Sequence, residues 1–253
     1  MDRWKYYDIT HRDHVLLNPL DSARLDELIG LLELPPRPRV LDVGSGTGEL
    51  LIRLAEACGA GSGDGFRGTG VDLSPYFLAR AREAAARRVP GAHLELLQME
   101  GADYQAAPGA FDLACCVGAS WIFGGHRGTL RALSRAVRPG GQVLVGEPFW
   151  RTEPAPAYLA WSDMARDDFG SHADNVRTGE EEGLVPLLAF VSSGADWDRY
   201  ETLQWRAAAR YAATHPEDPD LPALRERVAR MQHEYLVWGR ETMGWALYLF
   251  GRP

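Results

Sequence analysis

Two kinds of hydrophobic pattern alternate along the chain. Short apolar runs stand at residues 40 to 43, 67 to 73, 93 to 99, 111 to 118 and 141 to 150, and the fourth, FDLACCVG, is almost continuously apolar. Between them, apolar residues recur at helical spacing: Leu25, Leu28, Ile29 and Leu32, then Leu50, Leu51 and Leu54, then stretches over 75 to 88 and 127 to 137. Runs of this length read as strands and the periodic stretches as helices. Strict alternation of the two predicts a parallel sheet covered by helices.

The punctuation agrees with this division. Asp21 or Ser22 can cap the first helix, and Pro35, Pro36 and Pro38 end it. Ser74-Pro75 reads as an N-cap followed by the first helical position. Arg138-Pro139-Gly140-Gly141 predicts a turn, and the glycine-rich stretch from Cys58 to Gly68 predicts a connector. Residues 1 to 20 mix aromatics and histidines with no clear period, and residues 171 to 182 are polar. After Trp150 come a segment with helical spacing at Tyr158, Trp161 and Ala165, a sixth strand candidate over 184 to 193, and two helices broken at Pro216. GWALYLFGR closes the chain as a last strand.

Chemistry concentrates where the first strand ends. Residues 39 to 50 read RVLDVGSGTGEL, a strand broken by Gly44, Gly46 and Gly48 and followed at once by a helix. Glycines suit a turn that takes unusual dihedrals and lets a ligand approach the backbone, and the helix start turns free N–H groups toward it. Asp72 ends the second strand, where a carboxylate can take both hydroxyls of a ribose. Every such residue falls at the carboxyl end of a predicted strand, the edge at which open α/β sheets bind ligands. The spacing is G-x-G-x-G, whereas a nicotinamide dinucleotide site prefers G-x-G-x-x-G.

Composition narrows the partners. The chain has 253 residues and a net charge of −8, which argues against a nucleic-acid backbone as partner. The arginine-rich run over 79 to 88 has helical spacing and reads as a solvated helix face. Cys58, Cys115 and Cys116 form neither a disulfide framework nor a metal-ligand spacing, and the latter two read as small core residues. No signal peptide and no apolar run of about 18 residues is seen, so a cytoplasmic, non-membrane protein is expected. The residues give no reading of oligomeric state.

The string hydrophobic-Asp-hydrophobic-Gly-x-Gly-x-Gly, with Asp72 downstream and Arg138-Pro139-Gly140-Gly141 before the fifth strand, resembles the class I S-adenosylmethionine-dependent methyltransferases. CVGASWIFGG and GEPFW are similar to strings in a group of bacterial proteins of that family, and the small-molecule enzymes of the ubiquinone-methylase and cyclopropane-synthase-like kind look alike. The resemblance implies a seven-stranded Rossmann-like sheet with its last strand antiparallel, helices on both faces and a helical lid insertion. Within a single domain over 1–253, it implies an N-terminal lid and helix over 1–35, a cofactor-binding core over 36–150, a lid insertion over 151–182 and C-terminal strands and helices over 183–253.

By the same resemblance, S-adenosyl-L-methionine is the cofactor and S-adenosyl-L-homocysteine the product. Asp42, Gly44, Ser45, Gly46, Gly48, Asp72 and Leu73 would meet the amino-acid and ribose parts. Glu100 and Gly101 would meet the adenine, with Asp103 as the competing acid. Gly118 would let a carbonyl reach the amino group, with Trp121 at the mouth. The acceptor is expected to be a small molecule. A general base is required only for an acceptor that carries a proton, and the candidates are Glu147, which ends the fifth strand, His126, His11 and His14. The remaining alternatives are a cofactor-binding protein without turnover and a nicotinamide-dependent oxidoreductase.

Overall fold

Strand β1, Arg39–Val43, lies inside the sheet with its apolar side chains buried on both faces. In the computed structural model, which describes residues 1–59 and 65–253, seven strands form one sheet. The others are β2 (Arg67–Asp72), β3 (His93–Gln98), β4 (Phe111–Val117), β5 (Val137–Trp150), β6 (Val185–Val191) and β7 (Met243–Gly251), in the order β3-β2-β1-β4-β5-β7-β6. Strands β1 to β5 pair in parallel, and β7 runs antiparallel to both β5 and β6. The chain therefore reverses direction sideways from β1, which opens a crevice at the strand ends between β1 and β4.

Alternation along the strands divides the core in two. Val40, Leu113, Cys115, Leu144, Leu247 and Leu249 face one layer with α2 (Ser22–Gly30) and α3 (Glu49–Ala57). Leu41, Ala114, Cys116, Val143, Val145 and Tyr248 face the other with α5 (His126–Ala136) and part of α7 (His172–Glu181). Cys115 and Cys116 are fully buried core residues whose thiols burial pushes up. Between β2 and β3 lies α4 (Pro75–Arg88), capped by Ser74, whose side chain accepts the Phe77 N–H. Its arginines are engaged: Arg88 bonds Glu49 and Glu56, and Arg82 the Leu96 carbonyl.

Three stretches fold differently from their sequence pattern. Residues 3 to 10 form a helix, α1 (Arg3–Thr10), because Asp2 accepts the Trp4 and Lys5 N–H groups at its start. Tyr6 and Ile9 of α1 pack with Ala208 of α8 (Gly194–Thr214) and Leu221 and Leu224 of α9 (Leu221–Glu234) in a third, smaller core. The polar residues after 170 form α7, started by a reciprocal Ser171–Asp174 cap. Arg138 to Gly141 do turn, but inside β5: Phe111 pairs with Val137 and Leu113 with Gln142, so the intervening residues loop out of register. The inserted helices are present, as α6 (Pro156–Ser162) and α7. Residues 60–64 of the expected glycine-rich connector lie outside the described residues. Among the described residues, no helix is long and apolar enough to cross a membrane.

Helix α7 reaches the sheet through Gly179, where an added Cβ would lie 2.1 Å from the Phe250 ring. Gly179→Ala is expected to destabilise the fold by about 1–3 kcal/mol through overpacking, in spite of its gain in helix propensity. Urea denaturation should show the loss, and Phe250→Leu in the same chain should recover part of it; a stabilised single variant would contradict this packing.

Candidate functional site

The turn after β1 takes left-handed backbone at alternate residues, with φ of 75° at Gly44, 54° at Gly46 and 70° at Gly48. Side chains at these positions would be strained, so the sequence reserves them for glycine. The N–H groups of Gly44 and Ser45 both donate to the Val71 carbonyl, at 2.8 and 3.0 Å, which ties the turn to the end of β2. Asp72 completes the tie. Its Oδ2 accepts the Gly46 N–H at 2.8 Å and its Oδ1 the Ser74 N–H at 2.8 Å. A carboxylate has about four acceptor positions, so Asp72 keeps capacity for a ligand while its orientation is fixed. Burial raises its pKa, and the backbone N–H bonds pull it back.

Asp42 is 3% exposed, and its Oδ1 has no hydrogen-bond partner. Burial, and then the charge of Asp72, push its carboxyl up to about 7. Ser45 Oγ is also buried and unpartnered. Such orphaned groups are costly unless a ligand or water satisfies them. They face a cavity of about 530 Å³ at the carboxyl ends of the strands, within the range of small-molecule and cofactor sites.

The cavity has a close-fitting roof. A Cβ on Gly46 would lie 2.7 Å from Leu17 Cδ1, and one on Gly118 would lie 2.0 Å from Asn18 Oδ1. Asn18 Nδ2 donates to the Val117 carbonyl at 3.3 Å. The next part of the roof is α1, whose residues 3, 4 and 7 line the cavity together with its C-cap His11, followed by Tyr200 of α8. None of residues 151 to 182 lines it. Instead α6 packs toward α9 and Trp238, and α7 against β5 and β7.

Most of the expected ligand-binding residues come together here: Asp42, Gly44, Ser45, Gly46, Asp72, Leu73, Glu100, Gly101, Gly118 and Trp121 all line the cavity, and Trp121 is 66% exposed at its edge. Gly48 does not. Its α-carbon faces Ala81, 3.1 Å from where a Cβ would stand, so it seats α3 against α4. Asp103 also stands outside the lining, which leaves Glu100 as the acid after β3.

The four base candidates separate sharply. Glu147 is buried away from the cavity, with Ser120 Oγ donating to its Oε1 at 3.0 Å and Oε2 unpartnered. It braces the 3-10 turn Ser120–Phe123, whose Trp121 and Ile122 face the cavity. Burial pushes its carboxyl up to about 7. His126 also lies outside the lining; its Nε2 donates to the Asn175 carbonyl at 2.9 Å and its ring packs on Tyr248. His14 is buried, outside the lining, and donates from Nε2 to the Tyr200 carbonyl at 2.8 Å.

Only His11 of the four reaches the cavity. Its Nδ1 lies 3.2 Å from the Tyr7 carbonyl and 3.0 Å from Thr10 Oγ1, whose own proton goes to the Tyr6 carbonyl at 2.9 Å, so both neighbours accept and Nδ1 carries the proton. Nε2 is then the acceptor for the Tyr200 hydroxyl at 2.9 Å. Burial, and then the neighbouring His14, lower its pKa to about 3. His11 is thus a neutral acceptor, not a poised base, and its bond to Tyr200 uses the phenol proton and leaves that oxygen as an acceptor.

Sequence reasoning missed Tyr7, Leu17, Asn18, Thr47, Glu49 and Tyr200 in this lining. The spacing of Arg3, Tyr7 and His11 on one helical face carried a signal for α1; Tyr200, one of many aromatics in its helix, carried none. Charge in the lining is predominantly negative. Glu49 is offset by Arg53 and Arg88, both at 2.6 Å, which leaves Asp42, Asp72 and Glu100 to face a ligand. Three carboxyls, two orphaned polar oxygens and a glycine turn that closely admits a ligand fit a cationic nucleoside such as S-adenosylmethionine.

Glu147 provides a test of the bracing role. Its pKa is higher folded than unfolded, so its contribution to stability is full below the unfolded value near 4.5 and is lost as pH rises through about 7. Gln cannot ionise. The stability of Glu147→Gln relative to wild type should therefore increase by about 1–3 kcal/mol between pH 5 and pH 8, measured by urea denaturation. A pH-independent difference would contradict the assignment.

Comparison with known proteins places this geometry. A methyltransferase-domain family model matches residues 40–141. The chain is 30% identical to the uncharacterised protein YjhP of Escherichia coli over 98% of both chains. It is similar to the SAM-dependent methyltransferase of Thiobacillus denitrificans solved with S-adenosyl-L-homocysteine, at 32% identity, a TM-score of 0.87 and full coverage of both chains (100% each). A SAM-dependent methyltransferase of Geobacter sulfurreducens, also solved with S-adenosyl-L-homocysteine, shares 29% identity and a TM-score of 0.88 over 98% of both.

Proposed function

Because this chain belongs to the class I S-adenosylmethionine-dependent methyltransferases, we propose that its strand-end cavity holds the cofactor on the β1–β2–β4 side and a small-molecule acceptor beneath α1 and Tyr200. The observation that carries this reading is the meeting, in one cavity, of the Gly44–Gly46 turn and Asp72 with Tyr7, His11 and Tyr200. When bound, S-adenosylmethionine supplies both the methyl group and its leaving group. The protein then has to hold donor and acceptor in line, which can supply roughly 7–11 kcal/mol.

The residues divide this work. Asp72 accepts the ribose hydroxyls, with the Gly46 and Ser74 N–H groups fixing its plane. Asp42 and Ser45, with unpartnered oxygens, meet the cationic amino-acid end. Glu100 and Gly101 border the base, and the carbonyls near Gly118 lie under Asn18. Leu17 and Asn18 close the roof and exclude water. Tyr200, its proton held by His11, presents an oxygen that accepts a hydrogen bond from an O–H or N–H of the acceptor. It orients that nucleophile; the low basicity of His11 makes it a holder of Tyr200 and not the final resting place of a proton. Glu147, His126 and His14 support the walls. The segment over 1–20 serves as the lid in this reading, and the insertion over 151–182 buttresses the helical layer.

Gly46→Val should lower S-adenosyl-L-homocysteine affinity by at least about tenfold while the protein stays folded, since the side chain would be strained and would crowd Leu17. Calorimetric titration checks this, and unchanged affinity would remove the turn from the site. The acceptor is sought by incubating the protein with methyl-labelled S-adenosylmethionine and a bacterial metabolite extract, then searching by mass spectrometry for a labelled product. Tyr200→Phe should bind S-adenosyl-L-homocysteine within about twofold of wild type and form that product at least about tenfold more slowly. Equal product formation would take Tyr200 out of the acceptor site.

A further inference from the structure

Arg3 is the only cationic side chain in the cavity lining among the described residues, and it makes no ion pair. Arg227, over Tyr6 and Tyr7, stands outside the lining, and three other nearby cations are committed. Lys5 bonds Asp218 and Asp220 at 2.8 and 2.7 Å, Arg12 pairs with Asp8 at 3.0 Å, and Arg80 donates to the carbonyls of His11 and His14. The Arg3 guanidinium lies instead over two rings, 5.0 Å from the centre of Trp4 and 5.8 Å from that of Tyr7. A guanidinium placed over aromatic faces spends no N–H on them, and a guanidinium edge matches a carboxylate in bidentate fashion.

Position separates Arg3 from the cofactor side. The carboxyl end of α1 is tied toward the strand ends: His11 packs edge-on against Phe77 at 6.5 Å, and Arg80 of α4 reaches the His11 carbonyl. Arg3 is eight residues back along the helix, roughly 12 Å away at 1.5 Å per residue. Between the two stand Trp4 and Tyr7, so the wall runs from a cation, along aromatic faces, to the Tyr200 oxygen held by His11.

We propose that Arg3, seated on Trp4 and Tyr7, is a carboxylate-binding site, and that the methyl acceptor is a small carboxylic acid whose apolar or aromatic body lies along Tyr7. This rests on the reading of the cavity as a joint cofactor and acceptor site. The amino-acid carboxylate of the cofactor has the same chemistry, so the test separates the two sources.

Benzoate and benzamide, isosteric and differing in charge, serve as probes against protein saturated with S-adenosyl-L-homocysteine. Calorimetry should show benzoate bound more tightly than benzamide by the wild type. Arg3→Gln should remove that preference, lowering benzoate affinity by about tenfold, and leave S-adenosyl-L-homocysteine affinity within about twofold. No preference in the wild type, or one that survives Arg3→Gln, overturns the proposal. So does a fall in S-adenosyl-L-homocysteine affinity in Arg3→Gln with 5′-methylthioadenosine, which lacks the amino-acid part, unaffected; that result gives Arg3 to the cofactor. Failure of the wild type to bind S-adenosyl-L-homocysteine at all overturns the cofactor reading itself, and with it this one.

Discussion

The site depends on one carboxylate gripping two backbone segments. Asp72 accepts the N–H of Gly46 from the turn after β1 and the N–H of Ser74 at the start of α4. The first bond holds a three-glycine turn in left-handed geometry; the second sets the helix whose Phe77 and Arg80 meet the N-terminal segment at His11. Because the turn also hangs on the Val71 carbonyl, the ends of β1 and β2 move as one body. A ligand that bonds Asp72 therefore meets an acceptor already oriented, which limits the entropy lost on binding.

Around that grip, charge is distributed in a way that explains the rest of the lining. Asp42, close to Asp72 and without a full set of partners, sits where a cation would relieve both its burial and the repulsion between the two carboxyls. The membership of the chain among S-adenosylmethionine-dependent methyltransferases supplies such a cation and sets aside the nicotinamide alternative. On the other side, the neutral His11 and the aromatic faces of Trp4 and Tyr7 give a wall of low charge ending at Arg3. The same burial that keeps His11 neutral keeps Glu147 near its titration range under the Ser120 turn.

The sheet was legible because its signals are local. Strand runs, glycine dihedrals and the N-cap at Ser74 each act within a few residues, and the strand-end placement of Asp42, Asp72 and Glu100 follows from them. What was not legible depends on distant contacts. Asp2 turns a weakly patterned N-terminus into a helix, and that helix is held by α8 and α9, some two hundred residues away in sequence. Tyr200 acquires its role only through His11, and Gly48 its place through Ala81. Glu147 stands apart for a related reason: a strand-end position marks the binding edge, but this residue is buried, bonded by Ser120, and outside the cavity lining.

The claim that Asp72 at once organises the turn and takes a ribose is tested most directly by a ligand-deletion cycle. Calorimetry would compare S-adenosyl-L-homocysteine with its 2′,3′-dideoxyribose analogue on the wild type and on Asp72→Asn. If Asp72 holds the hydroxyls, Asp72→Asn weakens the parent ligand about tenfold or more beyond whatever loss the altered turn imposes on the dideoxy analogue, a coupling of roughly 1.4 kcal/mol or more. An equal loss for both ligands would show that the carboxylate shapes the turn without touching the ribose.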